Sequence, residues 1–212
     1  MKSKKYKAFA MALTVCMMIG ALGVPGFALQ PNDEVIAFEE YNAALSAEYA
    51  KYGVGFEITE YNPNYTFTRS ALNEAIAGVE ADVNSIQVVV HPTVMPTSAG
   101  VAEEDFKYSF SWSVIKLLCS ADFVTQIEGQ IDLVGDKLMR VTKFQHVLSS
   151  GLNYTSHNIT NSQWRDMGSA EISWSVEGYV LFEYTEPTTG MKLTYNVPFD
   201  ISRTFDTMDY RV

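Results

Sequence analysis

Residues 170–205 carry the strongest pattern in the chain and read AEISWSVEGYVLFEYTEPTTGMKLTYNVPFDISRTF. Apolar and polar side chains alternate, and the parity of the apolar positions switches after Glu186-Pro187-Thr188-Thr189-Gly190. A period of two is typical of strands with one dry and one wet face. Proline and glycine favour a turn, because Pro fixes φ and Gly accepts positive φ. The pattern therefore predicts one long antiparallel β-hairpin.

The turn position suggests a register for this hairpin. With residues 187–190 in the loop, the facing pairs include Glu186–Met191, Gly178–Phe199, Trp174–Arg203 and Glu177–Asp200. A cation–π contact would compensate for Arg203 on the apolar face, and the ring of Phe199 would cover Gly178. The pair Glu177–Asp200 places like charges opposite each other, which is unfavourable. A slip of two residues would remove that pair, so the pattern predicts the faces and leaves the register open.

The remaining sequence predicts two helices followed by further strands. The first helix spans residues 33–52, with Asp33 as its cap, and the second spans 70–83; both show apolar residues at spacings of three and four. Strands are expected at 54–61, 86–91, 106–114, 123–133 and 137–148, with 65–68 as a further short strand. The predicted fold class is α+β: a mostly antiparallel sandwich or strongly curled meander, about five long strands in the second half, and two N-terminal helices.

Composition divides the chain into four parts. Residues 1–28 resemble a signal peptide, 29–91 form a region of helices and short strands, 92–105 form a loop or linker rich in Pro and small residues, and 106–212 form the antiparallel β region. We expect one compact domain overall, because the chain after residue 28 has an ordinary domain length.

The first 28 residues have the features of a secretory leader. Lys2, Lys4, Lys5 and Lys7 precede an apolar run, and small residues Gly26 and Ala28 occupy the positions before a cleavage site between Ala28 and Leu29. We therefore expect a secreted, extracellular protein, of bacterial type from its short lysine-rich leader, with no membrane insertion after cleavage.

Net charge excludes one class of partner. The whole chain has 15 basic and 25 acidic side chains, and the chain after residue 28 retains 11 basic ones, for a net charge of −14. So acidic a chain repels phosphate backbones, and we expect no nucleic-acid partner. Metal-ligand spacings and glycine-rich phosphate loops are absent from the sequence, so no cofactor and no metal site are predicted.

Catalysis has one candidate group. Cys119-Ser120, followed by Phe123-Val124, loosely resembles the NlpC/P60 family of cell-wall cysteine peptidases, although Leu118 stands where that family has Asp. That resemblance implies a thiol nucleophile with a downstream histidine, and His146 and His157 are the candidates. A secreted hydrolase acting on cell wall or polysaccharide is therefore the alternative function.

Ligand binding has a better candidate in the polar stretch that follows Ser149. Asn153, Tyr154, His157, Trp164 and Arg165 offer amide, hydroxyl, aromatic and cationic groups within one connection. Such groups hydrogen-bond and stack on peptides or sugars, and loops on a rigid sheet often carry binding. The first hypothesis is therefore a non-catalytic protein that binds an extracellular peptide or glycan; the sequence leaves ligand and oligomeric state open.

Overall fold

The computed structural model describes residues 33–92, 103–132, 134 and 137–210. The predicted leader and most of the predicted loop at 92–105 lie outside these residues. The fold class is confirmed: the described chain is α+β, with mostly antiparallel strands in two sheets, one of them strongly curled, and two helices near the N-terminal side.

Two helices and eight strands make up the described chain. The helices are α1 (Phe38–Ala50) and α2 (Arg69–Asn84). The strands are β1 (Gly55–Glu60), β2 (Gln87–Pro92), β3 (Glu103–Lys116), β4 (Cys119–Asp132), β5 (Lys137–Leu152), β6 (Tyr154–Gly168), β7 (Glu171–Thr185) and β8 (Lys192–Asp206), followed by a 3₁₀ turn at Thr207–Tyr210.

Hydrogen bonds arrange the strands in two sheets of four. One sheet has the order β1-β8-β7-β6 and the other β2-β3-β4-β5. The chain divides into two compact units: the first contains the described residues up to Ile86 together with Phe182–Val197, and the second contains Gln87–Leu181 and the residues from Pro198 onward. The terminal strands of each sheet have one edge that no described strand covers.

The long hairpin is β7 and β8, and its register is the one that the turn suggests. The Glu186 N–H donates to the Met191 carbonyl at 2.8 Å, and at the other end the Thr207 N–H donates to the Ala170 carbonyl at 3.0 Å. Both pairs belong to the same register, with no slip between them. A Cβ added at Gly178 would lie 2.9 Å from Cζ of Phe199, as expected for a ring that covers a glycine.

The dry face of the hairpin is buried, whereas one predicted contact is absent. Trp174 is 1% and Val197 0% exposed. Arg203, by contrast, is exposed and donates to the carbonyl of Ser202, while the indole of Trp174 packs edge-on against Phe110. The cation–π pair does not form, because the long arginine side chain extends into solvent.

The first helix begins later than the sequence predicts. Its N-cap is Ala37, whose side chain cannot accept a hydrogen bond from the first turn, and Asp33 lies before the helix instead of capping it. The Asp33 carboxylate accepts from the N–H and from the hydroxyl of Ser70, at the start of α2. The reason is an isolated bridge between Val35 and Thr68, which holds the segment before α1 against the segment before α2. That bridge is all the pairing that the predicted strand 65–68 makes among the described residues.

The described part of the second half contains six strands, one more than predicted. The polar stretch after Asn153 is not a loop: it forms the fifteen-residue strand β6, next to β7 in the sheet. Likewise, residues 103–105 of the predicted linker belong to β3 and pair with β4. Polar edge strands lack alternation because neither face is deeply buried, and so their sequences do not show a period of two.

The outer edge of β1 is covered by α1. Asn42 pairs with the backbone of Ile58 in both directions: its Nδ2 donates to the Ile58 carbonyl at 3.3 Å, and its Oδ1 accepts from the Ile58 N–H at 2.9 Å. One helical turn later, the Ser46 hydroxyl donates to the Phe56 carbonyl at 2.7 Å. Side chains of the helix thus take the place of a further strand.

Candidate functional site

The structure separates the residues of the hypothetical thiol site. Cys119 is buried at the start of β4, in register with Lys116. His146 lies opposite Thr125, six residues farther along β4, which is about 20 Å of strand. His157 packs edge-on against the ring of Phe123. Phe123 is itself four residues along β4 from Cys119, which is about 13 Å of strand, so the structure places neither imidazole next to the thiol.

His146 instead belongs to a chain of hydrogen bonds that connects four strands. The indole Nε1–H of Trp112 donates to the hydroxyl of Thr125 at 2.9 Å. The same hydroxyl lies 2.8 Å from Nδ1 of His146, and Nε2 of His146 lies 2.8 Å from the hydroxyl of Ser162. The chain therefore runs from the fully buried Trp112 and Thr125 to the exposed Ser162 on β6.

Aromatic rings surround the imidazole of His146. Ring centroids of Phe144 and Trp174 lie 5.0 and 5.9 Å from it, and that of Trp112 lies 6.5 Å away. Burial in this apolar setting lowers the pKa of His146 from 6.5 to about 4, because a charged ring would lose its hydration. The imidazole is therefore neutral at neutral pH.

The donors and acceptors around this neutral ring determine its tautomer. Trp112 can only donate, so it uses one lone pair of the Thr125 hydroxyl. If the Thr125 hydroxyl donates to Nδ1, the polar hydrogens of Trp112, Thr125 and His146 all have acceptors, and Nε2–H of His146 donates to Ser162. The opposite tautomer would leave the buried Thr125 hydroxyl hydrogen without an acceptor among the described residues, at a cost of roughly 1–3 kcal/mol. His146 is thus a donor to Ser162 and not its base.

Three of the predicted ligand-binding residues lie at the start of β6, where their polar groups are engaged within the protein. Asn153, in the left-handed region with φ of 52°, donates from Nδ2 to the carbonyl of Leu118 at 2.8 Å. The hydroxyl of Tyr154 lies 2.7 Å from Nδ1 of His157. Asn153 therefore positions the bend into β6, and the Tyr154–His157 pair braces its first residues.

The other two predicted residues lie near the far end of the strand. Trp164 and Arg165 are exposed, and seven residues separate Trp164 from His157, which is about 23 Å along a strand. The five residues therefore do not converge on one pocket. Four of them lie on the single long strand β6 and Asn153 directly precedes it, and this strand forms one edge of its sheet.

The outer edge of β6 differs from the other three sheet edges in the described chain. The edge of β1 is covered by α1, β2 is only six residues long and ends at Pro92, and β5 carries the cations Lys137, Arg140 and Lys143. Charges, proline, shortness and covering elements are the devices that prevent an edge from pairing with other chains. Strand β6 is fifteen residues long and contains neither lysine nor proline.

The composition of β6 also makes it nearly neutral in an acidic protein. Its only charged side chains are Arg165 and Asp166, which balance each other, whereas the chain carries a net charge of −10. Residues 161–169 are all exposed. The outer edge therefore combines backbone groups that no described strand pairs with and mostly uncharged hydroxyl and amide side chains, which is the surface that an extended polypeptide can pair with.

Sequence reasoning had signals for part of this site. Thr125 lies among the apolar positions of β4, between Phe123 and Ile127 on the buried face, and a polar residue there requires a partner. The contribution of Ser162 could not be found in the same way, because it depends on where β6 lies relative to β5.

No group of three or more His, Cys, Asp or Glu side chains among the residues that the structure describes could hold a metal ion. No helix within the described ranges is both long and apolar enough to cross a bilayer.

Comparison with known proteins finds no match: no family model, no curated protein and no solved structure matches the chain.

Proposed function

We propose that this protein is a non-catalytic binding module that captures an extended polypeptide segment by strand addition to the outer edge of β6. The observation that carries the proposal is the unprotected edge itself. Over fifteen residues it has neither lysine, proline nor a covering element among the described residues, whereas the opposite edge of the same sheet is covered by Asn42 and Ser46. In strand addition, main-chain hydrogen bonds supply affinity and alternate side chains supply specificity.

A peptide suits this edge better than a glycan. Backbone N–H and C=O groups repeat along an edge with the spacing of another backbone. A sugar-binding platform needs exposed aromatic faces, and among the aromatic side chains of β6 only Trp164 is exposed. Tyr154 and His157 are bound to each other, and His157 packs on Phe123. The net charge of −10 disfavours acidic peptides, so the partner is an extended, neutral to basic segment.

N-methylated peptides test strand addition directly. The probe is a twelve-residue, end-blocked peptide of alternating Thr and Val with a Lys at each end, and the assay is calorimetric titration of the full chain. N-methyl groups on every second residue in one phase should abolish binding, because those N–H groups point to β6, while the other phase should bind normally. Equal effects of both phases, or no saturable binding of the parent peptide, would contradict the proposal.

Protein variants supply a matched comparison. Asn161→Lys combined with Gln163→Lys introduces two cations on the edge strand and should weaken binding of the probe at least tenfold, since lysines protect edges and repel a basic peptide. Thr142→Lys makes the same type of change on β5 and should leave affinity unaltered. Unchanged far-ultraviolet circular dichroism would verify that each variant is folded.

The location that we propose for this binding module is extracellular. The support is the leader-like sequence of Lys2, Lys4, Lys5 and Lys7, the apolar run and the small residues Gly26 and Ala28. Expression of the full chain in an exporting bacterium followed by mass spectrometry of the medium should give a protein that begins at Leu29. A product that stays in the cells with residues 1–28 attached would contradict this proposal.

A further inference from the structure

The hydroxyl of Ser162 occupies an unusual position on β6. It lies near the middle of the strand and is exposed, and it is the one serine or threonine hydroxyl of β6 that a described imidazole binds. Because His146 Nε2–H donates to it, one lone pair of its oxygen is used inside the protein. Its own hydrogen has no acceptor among the described residues.

The hydrogen-bond chain behind Ser162 restricts the directions in which that hydrogen can point. Thr125 is 0% and Trp112 0% exposed, so the first two members of the chain are held in the core. Rings of Phe144 and Trp174 pack around His146 and restrict its rotation. A hydroxyl that accepts a bond from this fixed donor is oriented before any ligand arrives, and orientation in advance reduces the entropic cost of binding.

We propose that Ser162 is the specificity-determining residue of the β6 edge, and that its hydroxyl donates to a side-chain amide oxygen, as of Asn, on the residue opposite it in the bound segment. This inference rests on the proposed function, since a residue lies opposite Ser162 only if a segment pairs with β6. Facing residues of paired strands have Cβ atoms about 4.5–5.5 Å apart, a gap that a serine hydroxyl and an asparagine amide bridge together.

An amide fits this position better than a carboxylate or an apolar side chain. Carboxylates accept hydrogen bonds strongly, but the chain carries ten more negative than positive charges and disfavours an anionic ligand. An apolar residue would cover the serine hydroxyl and leave its hydrogen unbound, which costs free energy that an amide oxygen avoids. The side chain opposite Ser162 is therefore selected for a neutral oxygen acceptor.

A scan of one asparagine through the Thr/Val probe peptide tests this inference. Moving Asn through successive positions should reveal one position at which affinity for the wild-type chain rises about five- to tenfold, the effect of one hydrogen bond. That gain should vanish in Ser162→Ala and persist in Ser162→Thr, which keeps the hydroxyl. Ser156→Ala is the matched control, because Ser156 is an exposed serine on the same strand.

The outcomes separate this inference from the proposed function. If the parent probe binds but no position of Asn improves its affinity, or if the gain survives in Ser162→Ala, the role of Ser162 is wrong and strand addition stands. If the parent probe does not bind to the full chain at all, both are overturned. A further readout is the ¹⁵N shift pattern of His146, which should show the proton on Nε2 in the wild type and in the bound state.

Discussion

Acidification should destabilise the second compact unit through His146. The unfolded chain takes up a proton on this imidazole near pH 6.5, whereas the folded chain does so only near pH 4, because aromatic rings bury the imidazole. Between these values the unfolded state binds more protons than the folded state. Stability is therefore fully present above about pH 6.5, falls as the pH decreases toward 4, and levels off below.

The size of the effect follows from the shift in pKa. One pKa unit corresponds to about 1.4 kcal/mol, and a group with these two pKa values loses about 2 kcal/mol of unfolding free energy between pH 7 and pH 5. The ring of His146 is only partly buried, and solvent screening reduces this value. We expect a loss of about 1–2 kcal/mol.

Urea unfolding of the wild type and of His146→Gln at pH 7 and pH 5 measures this loss. Glutamine retains a donor and an acceptor but does not titrate, so its unfolding free energy should lack the contribution from the imidazole. Tryptophan fluorescence reports on the right region, because Trp112 and Trp174 both pack against His146. Contributions from carboxylates are common to both proteins and cancel in the difference.

Two results would refute this reasoning. The first is an equal decrease in stability for the wild type and for His146→Gln between pH 7 and pH 5. The second is a proton NMR titration of the folded wild type in which the His146 ring changes charge near pH 6.5, since a normal pKa would mean that the imidazole is not buried among the aromatic rings.

Four further substitutions test the fold, each by urea unfolding. Asn42→Ala should lower the free energy of unfolding by about 1–3 kcal/mol, because it leaves the N–H and carbonyl of Ile58 on β1 without their side-chain partner. An unchanged free energy of unfolding would contradict the role of Asn42 in covering this edge. Ser169→Gly should stabilise by up to about 1 kcal/mol, since Ser169 is exposed at φ of 51° in the β6–β7 turn, where glycine is favoured; a loss would contradict a strained turn. Gly178→Ala should lower the free energy of unfolding by more than about 2 kcal/mol, because a Cβ there overlaps the Asn158 carbonyl oxygen. Gly78→Ala, in α2, is the matched control: its Cβ has open space around it, and the free energy of unfolding should rise by about 1 kcal/mol.

The sequence predicts the β7–β8 hairpin well because one face is buried. Burial imposes alternation, and the turn residues between Glu186 and Met191 determine where the two strands meet. The like-charged pair Glu177 and Asp200, which argued for a slip, lies on exposed residues, where water screens the repulsion. Packing of the dry face and the turn outweighs that repulsion.

The edge strand β6 could not be predicted in the same way. Its residues from 161 to 168 are all exposed, so no face selects apolar side chains and no period appears. A stretch rich in Asn, Ser and Thr therefore has the composition of a loop. Its strand conformation comes from pairing with β7, for instance through the Thr160 hydroxyl, which donates to the Glu177 carbonyl at 3.2 Å.

The hydrogen-bond chain of the candidate site depends on registers that sequence does not give. His146 meets Thr125 only because β4 and β5 pair in one particular register, with several irregularities along the way. Trp112 meets the same Thr125 from the other side through the pairing of β3 with β4. A single polar residue on a dry face signals that a partner exists, but the partner's identity follows only from the assembled sheet.

Hydrogen–deuterium exchange along β6, with and without the Thr/Val probe peptide, tests the central claim most directly. In the free protein, the β6 amides that point away from β7 should exchange rapidly, whereas the Ile58 amide, which Asn42 covers on β1, should be protected. Saturation with the peptide should protect every second amide of β6 and leave Ile58 unchanged. Protection of the outward β6 amides in the free protein, or no change when the peptide is bound, would contradict the assignment of this edge as the binding surface.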